Sequence, residues 1–185
     1  NGFSNQVAEP WGAQGEYGGG SLLVLASGSA SLLNVEVTDS ESMGNGGCVA
    51  VQNSGTLHMH SSRLTSCRAD VYGGGLYVSS GGVVTIEGTE LANSRAGIWG
   101  GGIFLETGRV SLSQGAVVRN ASAINGGCIE VNGGSRRRRR LLASDSGSAL
   151  STLLEMQSVS LHHCHSTNYG AAISVQGGHV LGDGV

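Results

Sequence analysis

The sequence predicts an all-β chain wound as a right-handed, single-stranded parallel β-helix, a solenoid of about six coils of ~27 residues. The first observation is composition: 33 of the 185 residues are glycine, one is proline, and 12% are charged. The second is a motif of three small residues, an apolar residue, any residue and an apolar residue, repeated at nearly constant spacing. The third is apolar alternation with period two after each motif, which is typical of strands with one buried face.

Composition also excludes several classes of protein. This much glycine with so little charge argues against a helical bundle, because helices tolerate glycine poorly and need polar wet faces. Hydrophobic residues make up 39% of the chain, which argues against disorder. The chain contains no run of 18 or more apolar residues, so the sequence predicts no membrane-spanning helix. Five of the ten basic residues form one run, and the rest of the chain is acidic, which is not the pattern of a nucleic-acid-binding surface.

The repeat is measured from the last apolar position of each motif, and these positions are Val24, Val51, Val78, Leu105, Val131 and Val175. The long final step accommodates a basic, serine-rich insertion at about 135–152. We expect residues 1–17 to form a partial coil or irregular entry segment and residues 18–185 to form the β-helix. Neither end shows a polar capping unit, so we expect a segment of a longer protein.

Three further columns complete each coil. A second alternating strand contains Leu57, Val84, Val110 and Leu154, with a weaker copy at Ala30. A third apolar column contains Val37, Leu64, Leu91, Val117 and Leu161, and a small or polar column three residues later contains Ser40, Cys67, Ser94, Asn120 and Cys164. The alternative fold is an antiparallel β-sandwich, but the constant repeat length and the matching columns count against it.

The four cysteines occupy two of these columns. Cys48 and Cys128 share the third small position of the motif, and Cys67 and Cys164 share the later column. Cysteines in one column lie three coils apart, which is too far for a disulfide. We therefore predict the bridges Cys48–Cys67 and Cys128–Cys164, each within one coil, and with them an oxidising compartment. Buried free thiols are the alternative.

The motifs Gly46-Gly47-Cys48-Val49 and Gly100-Gly101-Gly102-Ile103, with Val117-Val118-Arg119-Asn120, resemble the repeats of chlamydial polymorphic outer-membrane proteins. That family carries a Gly-Gly-Ala-Ile-like element and a Phe-x-x-Asn element in each coil. The second element is matched fully nowhere, since only Asn120 is kept. The resemblance implies a pectin-lyase-like β-helix in a surface-exposed protein, often an adhesin, and it transfers no catalytic residue.

Four aromatic residues form the candidate ligand-binding patch. Tyr72 and Trp99 precede the glycines in neighbouring coils, and Tyr77 and Phe104 share an outward strand position in the same coils. Neighbouring coils would stack each pair about 4.8 Å apart. A stabilising side-chain ladder is the favoured interpretation, and a platform for glycans or a partner is the alternative.

Other candidate groups are scattered. We expect the strand-face acids Glu36, Glu87, Glu106, Glu130 and Glu155 to be solvated, because no two form a catalytic pair. Two histidine clusters, His58 with His60 and His162 with His163 and His165, lack further ligands, so we predict neither a metal nor a cofactor. Asn120-Ala121-Ser122 is a glycosylation sequon, but its column predicts partial burial of Asn120 and hence doubtful occupancy.

The basic run lies inside the insertion and consists of Arg136, Arg137, Arg138, Arg139 and Arg140. Five like charges in a row favour a solvated, extended loop. Three interpretations stay open: a passive loop, a loop that binds anionic glycans or lipid headgroups, and a processing site for a protease that cleaves after basic residues. The passive loop is the favoured one.

These observations favour a non-enzymatic extracellular or cell-surface segment of a larger protein, serving as a rigid stalk or an adhesive surface. The expected partners are glycans or cell-surface proteins, together with neighbouring coils of the parent chain. The alternatives are a fragment of a pectin-lyase-like carbohydrate-active enzyme, whose catalytic coils lie elsewhere, and a glycan-binding module.

Overall fold

The computed structural model describes residues 2–4, 7–8, 18–133 and 152–183. These described residues form 24 strands, numbered along the sequence, and no helix. The strands make four parallel sheets of six strands each, so the fold is a β-solenoid of about five turns that repeat every ~27 residues. The predicted fold class is thereby confirmed, and the right-handed sense of winding stays a prediction.

Each turn contributes one strand to each sheet in the same order. Sheet A contains β1 (Gly2–Ser4), β5 (Glu36–Thr38), β9 (Arg63–Thr65), β13 (Glu90–Ala92), β17 (Val117–Arg119) and β21 (Ser160–His162). Sheet B contains β2 (Val7–Ala8), β6 (Glu41–Ser42), β10 (Arg68–Ala69), β14 (Arg95–Ala96), β18 (Ser122–Asn125) and β22 (His165–Tyr169). Sheet C contains β3 (Leu22–Val24), β7 (Val49–Val51), β11 (Leu76–Val78), β15 (Ile103–Leu105), β19 (Ile129–Val131) and β23 (Ile173–Val175). Sheet D contains β4 (Ser29–Leu33), β8 (Thr56–His60), β12 (Gly82–Glu87), β16 (Gly108–Ser113), β20 (Leu153–Gln157) and β24 (His179–Asp183).

Aliphatic side chains fill the solenoid interior in continuous columns. Leu57, Val84, Val110 and Leu154 stack as partners on sheet D, and each is fully buried. Sheet B contributes small inward residues, such as Ala69 and Ala96. The interior is therefore a packed hydrophobic core, and groups available to a partner lie on the outer faces and corners.

The third apolar column differs from the prediction by one residue in a single coil. Leu91 pairs with Val118, which is fully buried, whereas Val117 pairs with Glu90 and is only half-buried. The cause is an extra residue, Gly115, in the turn between sheets D and A, where a methyl group on its Cα would contact nothing within 4 Å. The prediction of Val117 as the core residue is therefore wrong.

Two consecutive glycines at the corner before sheet C are needed for different structural reasons. Gly73 has φ +63°, a conformation that side chains disfavour. Gly74 is required by close approach, because a Cβ there would lie 2.2 Å from the carbonyl oxygen of Gly101 in the next coil. The same close approach recurs at Gly47 and Gly101, so it explains why the Gly-Gly motif repeats.

Candidate functional site

Both predicted disulfides are present. Cys48 bonds Cys67 with a Cα–Cα distance of 5.3 Å, and Cys128 bonds Cys164 with a Cα–Cα distance of 5.1 Å. The same position in the first coil holds a hydrogen bond between the Ser21 and Ser40 hydroxyl groups. In these three coils, a cross-contact therefore links the start of sheet C to the corner that joins sheets A and B.

The four candidate aromatic residues form one stacked cluster. Ring centroids of Tyr72 and Trp99 lie 4.9 Å apart with planes within 10°, and those of Tyr77 and Phe104 lie 5.7 Å apart with planes within 1°. Tyr72 and Trp99 also stack on Phe104. The rings therefore make the ladder that the sequence favoured, and the facing sides of each stacked pair are not available to a sugar ring.

Two of these aromatic side chains are covered rather than exposed. Tyr77 and Phe104 point away from the solenoid interior, yet they retain only 6% and 1% of their accessible surface. They form a second, small apolar cluster with Ala50, and the half-buried Tyr72 and Trp99 pack over it. The alternative prediction of an exposed platform made of all four residues is therefore wrong. The outer parts of Tyr72 and Trp99 remain exposed.

Polar contacts fix this cluster at both sides. The Tyr77 hydroxyl donates to Oε2 of Glu106 at 2.9 Å, and burial, followed by the charge of Glu106, raises the pKa of Tyr77 well above its usual value. The same two causes raise the pKa of Tyr72. With the Asn125 amide oriented for hydrogen bonding, Trp99 Nε1 donates to its oxygen at 2.7 Å. These bonds orient Tyr77 and Trp99.

Glu130 departs from the expectation that the strand-face acids are solvated. Its side chain is fully buried between Phe104 and Ser174 on neighbouring strands of sheet C, and neither carboxylate oxygen has a hydrogen-bond partner among the described residues. Burial raises the pKa of Glu130, and the neighbouring Ser174 side chain offsets only part of that shift. No signal in the sequence marks this burial, because Glu130 occupies an outward position.

An apolar ridge runs along the corner between sheets B and C. It consists of Val71, Tyr72, Ile98, Trp99 and Ile124 from three successive coils. Backbone hydrogen bonds from Ile98 N to Val71 O (2.9 Å) and from Asn125 N to Ile98 O (3.0 Å) keep the coils in register there. Ile98 and Ile124 are 37% and 43% exposed. Sequence reasoning found the aromatic members but missed the isoleucines, because the ridge exists only when the coils are stacked.

Comparison with family models, with curated proteins and with solved structures finds no match for this chain.

Some of the remaining acids and histidines on the outer faces form ion pairs. Glu90 pairs with Arg63 (Nε–Oε2 2.9 Å) and with Arg119, and the His60 Nδ1 atom lies 3.3 Å from Glu87 Oε2. Within the described residues, no three His, Cys, Asp or Glu side chains are arranged to hold a metal ion. The same residues contain no helix of the length and apolarity needed to cross a bilayer.

A shallow groove of about 390 Å³ follows the turn between sheets D and A. Asn34, Glu36, Ser61, Arg63 and Glu90 are among its lining residues. The sequence did not predict it, because its walls come from turns of three different coils. Its walls are polar and it is open to solvent. We therefore describe it as a surface depression between ion pairs.

Asn120 is not in the column that the sequence assigned to it. The extra residue Gly115 moves Ala121 into the cysteine column, and Asn120 instead occupies an exposed corner with φ 50°. The expected partial burial of Asn120 is therefore wrong, and with it the reason given for low occupancy of the sequon.

The basic run cannot be placed relative to these surfaces. Arg136, Arg137, Arg138, Arg139 and Arg140 all lie outside the described residues, as does the insertion at about 135–152 apart from its last residue, the fully buried Thr152. The passive loop, the anion-binding loop and the processing site therefore all stay predictions.

Proposed function

We propose that this chain is a non-enzymatic segment of an extracellular or cell-surface protein, in which a rigid solenoid holds an adhesive surface. The observation that carries the proposal is the apolar ridge, because aligned apolar side chains left in contact with water are typical of surfaces that bind other proteins. We assign the adhesive contact to this ridge.

Two features of the scaffold support this role. The two disulfides are compatible with an oxidising, extracellular compartment. Each coil also pairs with its neighbours through four sheets around a filled core, so side chains on the ridge keep fixed relative positions. A preformed surface loses little conformational entropy on binding, which favours affinity. The resemblance to surface-exposed chlamydial repeats agrees with the same role.

The stacked rings argue for the ridge over the alternative of a glycan-binding platform. Sugar recognition by an aromatic ring needs a free ring face, and the stacking of Tyr72, Trp99 and Phe104 on one another reduces the ring surface left for a sugar. The exposed isoleucines beside them suit an apolar protein surface instead.

The test is an adhesion assay with the oxidised protein immobilised on beads and offered to cultured cells. The ridge variant Ile98→Ser/Ile124→Ser is compared with Leu33→Ser/Val83→Ser, which removes two exposed apolar side chains from sheet D. Ile98 and Val83 are matched, with exposures of 37% and 38%. We expect the number of bound cells to fall at least tenfold with the ridge variant and less than twofold with the control variant. Equal binding by the two variants would contradict the proposal.

A further inference from the structure

A second surface lies at the corner where sheets A and B meet in the later coils. It consists of Arg95, Arg119, His162, His163 and His165, which we name the basic corner. Arg119 on β17 pairs directly with His162 on β21. Ser122 on β18 pairs with both Arg95 on β14 and His165 on β22. His163 lies in the turn between β21 and β22, with φ 50°. The solenoid therefore gathers residues from three coils that the chain separates.

Four of these five side chains are exposed and carry no salt bridge. Arg95, His162, His163 and His165 are exposed, and none of them has an ion-pair partner in the described part of the chain. The other described arginines each contact a carboxylate: Arg63 and Arg119 at Glu90, Arg68 at Glu41 and Asp70, and Arg109 at Glu155. Glu90 is thus the carboxylate that contacts the basic corner, and it reaches only Arg119.

The same face changes charge along the solenoid axis. In the first full coil the corresponding positions are Asp39, in the turn, and Glu41, on β6. In the last coil they are His163 and His165. An elongated anion is therefore attracted to one end of this face and repelled from the other, which restricts where it binds.

The residues between the charged groups are hydrogen-bonding and small. Asn93 and Asn120 form an exposed pair, in which Asn120 Nδ2 donates to Asn93 Oδ1 at 3.1 Å, and Ser122 lies between Arg95 and His165. The exposed apolar side chains on these strands, Ile124 on β18 and Tyr169 on β22, lie towards the opposite corner, where sheet B meets sheet C. Arginine presents a fork of N–H donors that matches an oxyanion, and protonated imidazole adds two more donors.

From this geometry we propose that the basic corner binds a sulfated polysaccharide. Arg119 and His162 lie on neighbouring strands, about 4.8 Å apart along the axis, and Arg95 and His165 lie two strands apart with Ser122 between them. The corner is therefore a row rather than a point site and suits a linear polyanion. Sulfate esters stay ionised at the pH where histidine gains charge. This surface is separate from the apolar ridge, and the proposal rests on the adhesive role only for its extracellular setting.

The test measures binding to an immobilised heparin dodecasaccharide at pH 6.0 and pH 8.0. Each protein is measured in two forms, one with Arg136–Arg140 intact and one with these arginines replaced by glutamine. In the second form, binding by the arginine run cannot hide binding by the basic corner. The corner variant is Arg95→Gln/His165→Gln. The matched control, Arg109→Gln/His58→Gln, removes one exposed arginine and one exposed histidine from sheet D. Peptide mapping of both disulfides confirms that each protein is folded.

We expect the corner variant to lose at least tenfold in affinity at pH 6.0 and the control to lose less than twofold. Because histidine side chains gain charge as the pH falls from 8 towards 5, we also expect tighter binding at pH 6.0 than at pH 8.0. This pH effect should disappear in His162→Gln/His163→Gln/His165→Gln. Equal losses in the corner variant and the control would overturn the proposal. Equal binding to desulfated heparin, or to vesicles of phosphatidylserine and phosphatidylcholine, would also overturn it.

Discussion

Cys128 and Cys164 are bonded across one coil although 36 residues separate them, with nearly the same Cα–Cα distance as Cys48 and Cys67, which are 19 residues apart. The difference is the insertion between sheets C and D. Its flanking residues are held in the solenoid: Gly133 N donates to Gly177 O at 3.1 Å, and Thr152 Oγ1 donates to Glu106 O at 3.1 Å. The added chain therefore leaves and rejoins the coil without changing its closure.

Cleavage within the arginine run should leave the protein in one covalent piece. Every bond after Arg136 to Arg140 lies between Cys128 and Cys164, so the disulfide joins the two products. We expect trypsin-nicked protein to migrate as one band without reductant and as two fragments after reduction, with the site identified by mass spectrometry. The matched variant Cys128→Ser/Cys164→Ser should release both fragments once it is unfolded. Separation of the wild-type fragments before reduction would contradict the pairing.

Removing the first disulfide should weaken the fold without abolishing it. The variant Cys48→Ser/Cys67→Ser recreates the hydroxyl pair found at Ser21 and Ser40 in the preceding coil. Opening a loop of 19 residues costs about 3 kcal/mol by the chain-entropy relation. We expect the free energy of unfolding, measured in urea, to fall by about that amount while the β-rich circular dichroism spectrum is retained. A variant that is already unfolded without urea would show that the bridge is required for folding.

Adding a methyl group should be far more harmful at Gly101 than at Gly115. A Cβ at Gly101 would lie 2.3 Å from Gly127 O and 2.4 Å from Ser122 N, so the backbones of two coils would have to separate. At Gly115 no atom lies within 4 Å of the added Cβ, so the cost arises only from the backbone φ of +75°, which side chains disfavour. We expect Gly101→Ala to cost about 3 kcal/mol or more and Gly115→Ala about 1 kcal/mol in urea unfolding. Equal costs would contradict the close packing of these backbones.

Replacing Glu130 with glutamine should stabilise the protein at neutral pH and have little effect in acid. Burial raises the pKa of Glu130 above its usual 4.5, so the folded chain holds this proton more tightly than the unfolded chain. The wild type therefore loses stability as the pH rises from 4.5 through the folded-state pKa, and Glu130→Gln does not. We expect a gain of roughly 1–3 kcal/mol at pH 7.5 and a small difference at pH 4. Glu36→Gln, which removes a carboxylate at an exposed position, is the control. A gain from Glu130→Gln that is the same at both pH values would be inconsistent with a buried charge.

The architecture and the disulfides could be predicted because both are periodic. Stacked strands repeat the same environment every coil, so residues such as Cys48 and Cys128 reveal their shared position in one dimension. The register failed where Gly115 adds a residue to one turn, because local alternation around Val117 and Val118 fits either residue as the buried one. The same one-residue shift placed Asn120 at an exposed corner instead of in the column of Cys67 and Ser94, which is buried.

The outer surface was harder to predict than the interior. Period-two alternation assigns Tyr77, Phe104 and Glu130 to the outward face, and in the structure they do point outward. Tyr77 and Phe104 are covered by Tyr72 and Trp99, which pack over them from the corner, and Glu130 is buried between its neighbours Phe104 and Ser174. A strand pattern does not contain that information. The apolar ridge and the basic corner are likewise products of stacking between coils.

Each disulfide joins two points of the same coil, so neither one fastens a coil to its neighbour. Tension applied along the solenoid axis would act on the hydrogen bonds between coils and leave both covalent links unloaded. Once a coil peels away, however, the residues between its cysteines cannot extend. At roughly 3.5 Å per residue, the two disulfides prevent the residues that they enclose from extending by about 6 nm and about 12 nm. In single-molecule stretching, reduction should release those two lengths, which makes the redox state a control on how far this segment lengthens under load.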